Sequence, residues 1–433
     1  MKWLFWHIYS AFLFLIQFAI TIASKFRPEW RHSLENRSFS QDQAVRIHKM
    51  RQACRSCAVF YVSSAGEYEQ AKPLIKLLKR DLDIFILIIC FSQSGYRYAK
   101  SQGETEVYMK APWDFYGAWR RLFKALTPDF TIVVRHELWP AFCAVAARYS
   151  QHFILINAQA SKTVENNAMA AWLQRMLLSK FSRLYLLDKQ DVPYFSERLG
   201  LERKGLSIVG DTKYDRVFER IAERQDKLEA IRLHLEAVWP RELKKRLIIG
   251  SAWPADVQVV LEAFKHHPNA QNWQVIIAPH DVSPQMITAI QADCTRLGFE
   301  SILYSELDVK PDDRNVDILI VNTIGVLAEL YGVADIAFIG GALHHRVHNV
   351  LEPSCRGLPV AFGPRFDTSQ EAVWLVNQRL VAVCESSEQL LSWWTGKEKL
   401  EDLQDLDLLT GIRSLCGASE SIWRDLQELK KGL

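Results

Sequence analysis

From residue 58 onward the chain alternates between short runs of consecutive apolar residues and longer stretches whose apolar positions recur every three or four. A first series comprises AVFYV (58–62), IFILIIC (84–90), TEVYM (105–109), FTIVV (130–134), FILIN (153–157), RLYLL (183–187) and LSIVG (206–210). A second comprises RLIIG (246–250), WQVIIA (273–278), ESILY (300–304), VDILIV (316–321), IAFIG (336–340), LPVAF (358–362) and LVAVC (380–384). Strands this continuously apolar are covered on both faces, so they predict parallel sheets between helix layers. The pattern therefore predicts an α/β chain of two doubly wound, Rossmann-like halves facing a cleft, with ligands expected at the carboxyl ends of the strands. Residues 216–245 are charged, amphipathic and helical in pattern, and read as a connection.

Ahead of this pattern lies WLFWHIYSAFLFLIQFAITIA, residues 3–23. Its 21 residues are enough to cross a bilayer at about 1.5 Å per residue, although His7, Ser10, Gln17 and Thr21 interrupt it, and an interfacial position stays open. Trp3, Trp6 and Tyr9 cluster at one end like an aromatic belt. Lys25, Arg27, Arg31, Arg37, Arg46, Lys49, Arg51 and Arg55 follow the other end, against only Glu29, Glu35 and Asp42. That excess suits anionic headgroups and puts the rest of the chain on the cytoplasmic side. An uncleaved anchor is preferred to a signal peptide, because Lys2 is the only n-region charge and Thr21-Ile22-Ala23 is a poor cleavage site. The expected division is an anchor (1–28), a first domain (29–217), a linker (218–245), a second domain (246–410) and a final amphipathic helix (411–433).

Composition narrows the function classes. With 433 residues, 49% hydrophobic and 24% charged, the chain is an ordinary globular protein with room for two or three domains. A net charge of +3 argues against a nucleic-acid partner. The eight cysteines are scattered, mostly in apolar runs, as expected of reduced thiols. The one CxxC, Cys54 and Cys57, lacks a second pair or flanking histidine, so zinc is not expected.

The candidate chemistry sits where strands end. In FYVSSAGEYEQAKPLI (60–75), Glu67 stands in the first turn of a helix, either as a dipole-stabilised helix-start residue or as a base kept ionised near pH 7. VVRHELWPAF (133–142) repeats the logic at Glu137, and VGDTKYDRV (209–217) brings Lys213 from a third strand end. A base, a second acid and a lysine together form a reasonable set for moving a charged group. In IAFIGGALHHRVHNVLEPSCRGLPVAFGP (336–364), a strand runs into Gly340-Gly341 and a helix is expected near Asn349. Such a helix start suits a phosphate, and Asn349 and Glu352, three apart, would share a face for phosphate and ribose. His344, His345 and His348 precede that helix and suit a phosphate neighbour better than a metal. The DxD strings at Asp81–Asp83 and Asp405–Asp407 read as solvated charge.

The ordered motifs SSAGE, FSQSGY, HELWP, INAQAS, GDTKYD, GSAWP, APH, NTIGVLAELYGVADIAFIGG and HNVLEP…GLPVAFGP resemble the 3-deoxy-D-manno-octulosonic acid (Kdo) transferases of lipopolysaccharide assembly, along nearly the whole chain. The resemblance implies a GT-B glycosyltransferase with an acceptor domain for lipid A precursor, a CMP-Kdo donor domain, a cytoplasmic-face membrane anchor, and inversion without a metal ion. It implies Glu67 as general base, with Glu137 and Lys213 steadying the transition state. It places the CMP contacts at Ser251, Pro279, His280, Gly325, Val326, Leu327, Gly340, Gly341, Asn349, Val350, Leu351 and Glu352, and expects the last helix to return to the first domain. Two departures stand out. Ala278-Pro279-His280 replaces the common Pro-Arg-His, leaving the phosphate to His280 or Arg346; Arg346-Val347 replaces a Gly-Gly. Two rival readings are a GT-B transferase using another nucleotide sugar, and a non-catalytic membrane-attached relative. The second would need broken catalytic positions, whereas Glu67, Glu137 and Lys213 are all present.

Overall fold

The structure is a computed structural model that describes residues 2–26, 41–135, 137–160, 167–240, 244–307, 316–398 and 405–431. Arg27, Arg31 and Arg37 of the basic stretch lie outside the described residues, as does the side chain of Arg46. The chain divides into two compact units, Met1–Arg216 with Leu415–Leu433, and Val217–Ser414.

The first unit begins with α1 (Lys2–Phe26) and α2 (Gln41–Gln52). α1 holds an 18-residue window, Ile8–Lys25, long and apolar enough to cross a membrane. Seven parallel strands follow: β1 (Ser56–Val62), β2 (Ile84–Cys90), β3 (Val107–Lys110), β4 (Phe130–Val134), β5 (His152–Ala158), β6 (Arg183–Leu186) and β7 (Leu206–Ile208). Their order across the sheet is β3-β2-β1-β4-β5-β6-β7. Alternate residues of β1 feed two different cores: Cys57, Val59 and Tyr61 join one, Ala58, Phe60 and Val62 the other. This is why the strand reads as an unbroken apolar run. α3 (Ala65–Asp81) covers the second core with Leu74, Ile75 and Leu78, and α4 (Pro140–Tyr149) covers the first with Phe142, Val145 and Ala146.

The chain enters the second unit within α5 (Thr212–Glu223), and α6 (Gln225–Val238) follows. The segment expected as a linker (218–245) is therefore mostly part of the second unit's body. α6 buries Leu228, Ile231 and Leu235, and fully buried Arg246 bonds to the Trp239 carbonyl (2.8 Å) and lies over its ring. Amphipathic charge patterning cannot distinguish a free connection from a helix docked along one apolar stripe.

The second sheet is again parallel: β8 (Lys245–Ala252), β9 (Trp273–Pro279), β10 (Ser301–Leu303), β11 (Ile318–Ile320), β12 (Ile336–Ile339), β13 (Val360–Phe362) and β14 (Ala382–Val383), in the order β10-β11-β9-β8-β12-β13-β14. Three helices border its strand ends: α7 (Pro254–Lys265), α8 (Leu327–Leu330) and α9 (Leu351–Ser354). Finally α10 (Ala418–Lys431) rejoins the first unit, where Ile422, Trp423 and Leu426 share a core with α3. The Trp423 Nε1–H donates to Asp81 (2.6 Å), the Tyr185 hydroxyl to Asp425 (2.6 Å). Thus the first DxD aspartate is part of a helix-docking contact.

Candidate active site

In the first sheet the chain builds outward from β1 to β2 and β3, then returns to lay β4 on the other side of β1. The loops after β1 and β4 flank this switch point, where an α/β sheet offers a ligand crevice. Glu67 follows β1 and Glu137 follows β4. Glu67 is the third residue of α3 and also helps cap it: Ser64 Oγ accepts its N–H (3.3 Å), while its own Oε2 accepts the Ser63 N–H. Burial raises the Glu67 carboxyl above the usual range; nearby Glu137 pushes the same way, and the Ser63 N–H and Arg135 pull against both. The helix dipole alone would lower it; burial is the larger effect and acts the other way. A base with a raised pKa is matched to taking a proton near neutral pH. Glu137 precedes its helix by three residues rather than starting it, and accepts from Trp139 Nε1 (3.2 Å).

Around this pair lies a polar network that sequence reading did not single out. Arg135 takes positive φ (64°) right after β4, which aims its guanidinium at Gln70 Oε1 (2.9 Å) and Asp211 Oδ2 (3.2 Å). Asn157 in β5, also at positive φ (54°) and fully buried, donates to Gln70 (3.1 Å) and Thr212 Oγ1 (2.8 Å). Asp211 accepts the Lys213 N–H (2.9 Å) and lies 3.3 Å from its Nζ. Lys213 is thus tied to the acidic pair through Asp211 and Arg135. Backbone strain of this kind marks functional positions, and it leaves no signature in composition.

The second sheet repeats the switch between β8 and β12. Ser251 in β8 has positive φ (53°), and Gly340-Gly341 follows β12. A Cβ on Gly340 would lie 2.5 Å from the Ser251 carbonyl oxygen and 2.7 Å from Asp256 Oδ2, so only glycine fits there; Gly341 has φ +93°. Buried Asp256 in the first turn of α7 accepts the N–H groups of Trp253 and Gly341, each at 2.8 Å, clamping the two loops together. Burial raises the Asp256 carboxyl against those two donors. Trp253 stacks on His280 (4.9 Å, 16°), lies 4.3 Å from the His345 ring, and donates its Nε1–H to His348 Nε2 (2.9 Å). Burial lowers the His348 pKa, with His280 and Arg346 adding to the effect. A neutral His348 accepting at Nε2 carries its proton on Nδ1. The cluster offers imidazoles and the exposed Arg346 at one set of strand ends, an arrangement suited to an anion beside a flat ring. Among the described residues, no three His, Cys, Asp or Glu side chains gather in a metal-ligating group.

Residues 34–216 match the family model of 3-Deoxy-D-manno-octulosonic-acid transferase (kdotransferase). The 3-deoxy-D-manno-octulosonic acid transferase of Aquifex aeolicus is 26% identical over 314 residues, 72% of this chain and 77% of that protein. Those of Rickettsia felis (25% over 347 residues, 78% and 70%) and Chlamydia muridarum (26% over 347 residues, 77% and 76%) are similarly related. The chain is similar to the Kdo transferases over most of its length. Among solved structures, a glycosyltransferase from Rickettsia africae matches 88% of this chain and 100% of its own (TM-score 0.54, 13% identity). The UDP-GlcNAc 2-epimerase of Neisseria meningitidis matches 86% and 100% (TM-score 0.59, 13% identity). These likenesses establish the GT-B fold. Like these relatives, the protein is a glycosyltransferase.

Of the positions implied by the resemblance, Glu67 and Glu137 lie close enough to feel each other's charge, and Lys213 joins them through the network. In the second unit Ser251, Pro279, His280, Gly340 and Gly341 gather at the ends of β8, β9 and β12. Gly325, Val326 and Leu327 lead into α8: Gly325 has φ +91°, its carbonyl accepts from Lys227 Nζ (2.8 Å), Val326 is the N-cap and Leu327 begins the helix. The helix expected near Asn349 is the single turn α9, starting at Leu351 with Val350 as N-cap. Asn349 lies before it, where Oδ1 accepts the Leu351 N–H (3.0 Å), so Asn349 and Glu352 do not share a helix face. The Glu352 carboxylate is ion-paired with Arg220, a partner 132 positions earlier that local spacing could not reveal. Neither Arg346 nor Val347 takes positive φ; the loop accepts them in ordinary backbone conformations.

Proposed function

We propose that this protein is a Kdo transferase that moves Kdo from CMP-Kdo to a glucosamine hydroxyl of the lipid A precursor lipid IVA, with inversion and without a metal ion, on the cytoplasmic face of the inner membrane. The observation that carries the reading is the Glu67–Glu137 pair at the β1/β4 switch point, with Glu67 raised by burial. Glu67 takes the proton as the acceptor oxygen attacks the anomeric carbon, and the bond to CMP breaks on the opposite side with its electron pair leaving on the phosphate. Arg346 supplies positive charge and His280 a ring nitrogen for that departing charge, beside the close-packed Gly340-Gly341 loop. The apolar helix α1 supports membrane attachment.

The test is turnover of the purified full chain with CMP-Kdo and a tetra-acylated lipid A precursor, read by product mass. Glu67→Gln should lower the rate by about 10²–10⁴ while leaving the melting temperature and CMP binding near wild type. Near-normal turnover in that variant would remove Glu67 as base; turnover only with another nucleotide sugar would replace the donor.

A further inference from the structure

A cavity of about 400 Å³ lies in the first unit between α1 and the carboxyl end of the sheet, within the range of small-ligand sites. Phe12, Leu13 and Ile16 line it from α1, and Phe91, Trp113 and Trp139 from the body of the unit. Resting on the function proposed above, we infer that this cavity receives one acyl chain of the lipid acceptor, making α1 a wall of the acceptor site as well as an anchor.

Three observations support that occupant. First, α1 is apolar on both sides. Leu13 is buried toward the cavity, while Phe14, Leu15 and Phe18 are about 60% exposed, and Phe12 both lines the cavity and is 58% exposed. An alkyl chain leaving a bilayer that surrounds this helix reaches the cavity along continuous apolar surface. Second, the cavity adjoins the chemistry through one side chain. Trp139 lines it, stacks on Phe91 (5.3 Å, 24°) and donates its indole N–H to Glu137. A lipid seated there by its chain holds its polar headgroup toward the Glu67–Glu137 pair. Third, the wall is fastened. The Tyr9 hydroxyl donates to Asp114 Oδ2 (2.7 Å), and Asp114 also accepts from Trp119 Nε1 (2.7 Å) and the N–H groups of Ala141 (2.8 Å) and Phe142 (2.9 Å). With both its oxygens doubly engaged, the one acidic group in the lining presents the cavity with little unsatisfied polarity.

The experiment uses the full chain in vesicles of phosphatidylethanolamine and phosphatidylglycerol, with a lipid IVA carrying a diazirine on one acyl chain. Photolysis should label peptides containing Phe12, Trp113 or Trp139, and unlabelled lipid IVA should compete far better than added phospholipid. Turnover measured on the same samples separates the two readings. Labelling without Kdo transfer leaves the cavity assignment standing and sinks the proposed reaction; transfer without labelling there overturns the cavity assignment. Equal labelling by a diazirine phospholipid also overturns it, because the occupant is then bulk lipid. In a second arm, Leu13→Trp should raise KM for lipid IVA about tenfold, comparable to displacing two methylenes, with KM for CMP-Kdo unchanged. An unchanged KM for lipid IVA in a folded variant would contradict the assignment.

Discussion

Asp114 is a carboxylate clamp whose consequences can be worked out bond by bond. Replacing it with asparagine puts an amide NH2 where one oxygen stood. On the Oδ1 side that group would face the Trp119 indole N–H and the Phe142 N–H, neither of which can accept. On the Oδ2 side it would face the Ala141 N–H and the Tyr9 hydroxyl, and the hydroxyl can turn and accept. The second arrangement wins and leaves one buried N–H unpaired, at a cost of about 1–3 kcal/mol. The charge enters separately. Burial pushes the Asp114 carboxyl up to about 6 from an ordinary 3.8, against the pull of its four donors. The folded chain therefore holds this proton more tightly than the unfolded chain. The group's stabilising contribution is present in acid and is lost as pH rises from about 4 through about 6, some 3 kcal/mol in all. Between about pH 5 and pH 7.5 roughly 1.4 kcal/mol of it disappears. Asparagine does not titrate, so Asp114→Asn should destabilise more at pH 5 than at pH 7.5 by that amount. At about 2–4 °C per kcal/mol for a unit of this size, the gap is about 3–6 °C between the two mutant-minus-wild-type melting shifts. Thermal melting of both proteins at the two pH values measures it, and equal shifts would refute the reasoning.

Other expectations follow from the same geometry. Glu137→Gln removes a neighbour that raises Glu67, so the acid limb of the rate–pH profile, where the base is lost by protonation, should move to lower pH; a limb that stays put would uncouple the pair. Gly340→Ala forces a methyl to within 2.5 Å of the Ser251 carbonyl oxygen, and should cost about 1–3 kcal/mol in melting experiments and weaken CMP binding by calorimetry. Fully buried Glu329 is held by Arg224 (2.8 Å) and Lys227 (3.2 Å), which against the effect of burial keep its carboxyl below the usual range. Its contribution is thus present above the ordinary carboxylate pKa and lost on acidification. Glu329→Ala should destabilise the second unit by about 1–3 kcal/mol near neutral pH, because its half-exposed partners regain water, visible as a lowered second transition in differential scanning calorimetry.

The strands were legible because both their faces are buried, and an unbroken apolar run is the direct imprint of that burial on the chain. Their ends were less so: the run at 105–109 becomes β3 at Val107–Lys110, and that at 206–210 stops at Ile208. Glu67 and Glu137 were visible as carboxylates just past strands. Arg135, Gln70, Asn157 and Asp211 were not, since what recruits them is positive φ and contacts spanning 55 to 87 positions. In the second unit the glycine pair pointed to the right loop. The Trp253 stack and the Asp256 clamp depend on rings and N–H groups converging from three strand ends, which no linear spacing encodes. Asn349 and Glu352 suggested a helix face from their separation of three, but the turn begins two residues later, and a distant arginine takes the carboxylate.

The return of α10 to the first unit has a consequence for synthesis. Ile422, Trp423 and Leu426, with Leu429 packed beside them, complete a core whose other members all precede residue 210. A ribosome must therefore translate the whole second unit before the first can close. Until then Leu74, Ile75 and Leu78 on α3 lack their last covering layer, and that apolar surface stays open to water. A stop codon removing only the final helix would leave both sheets encoded and the first unit unable to finish.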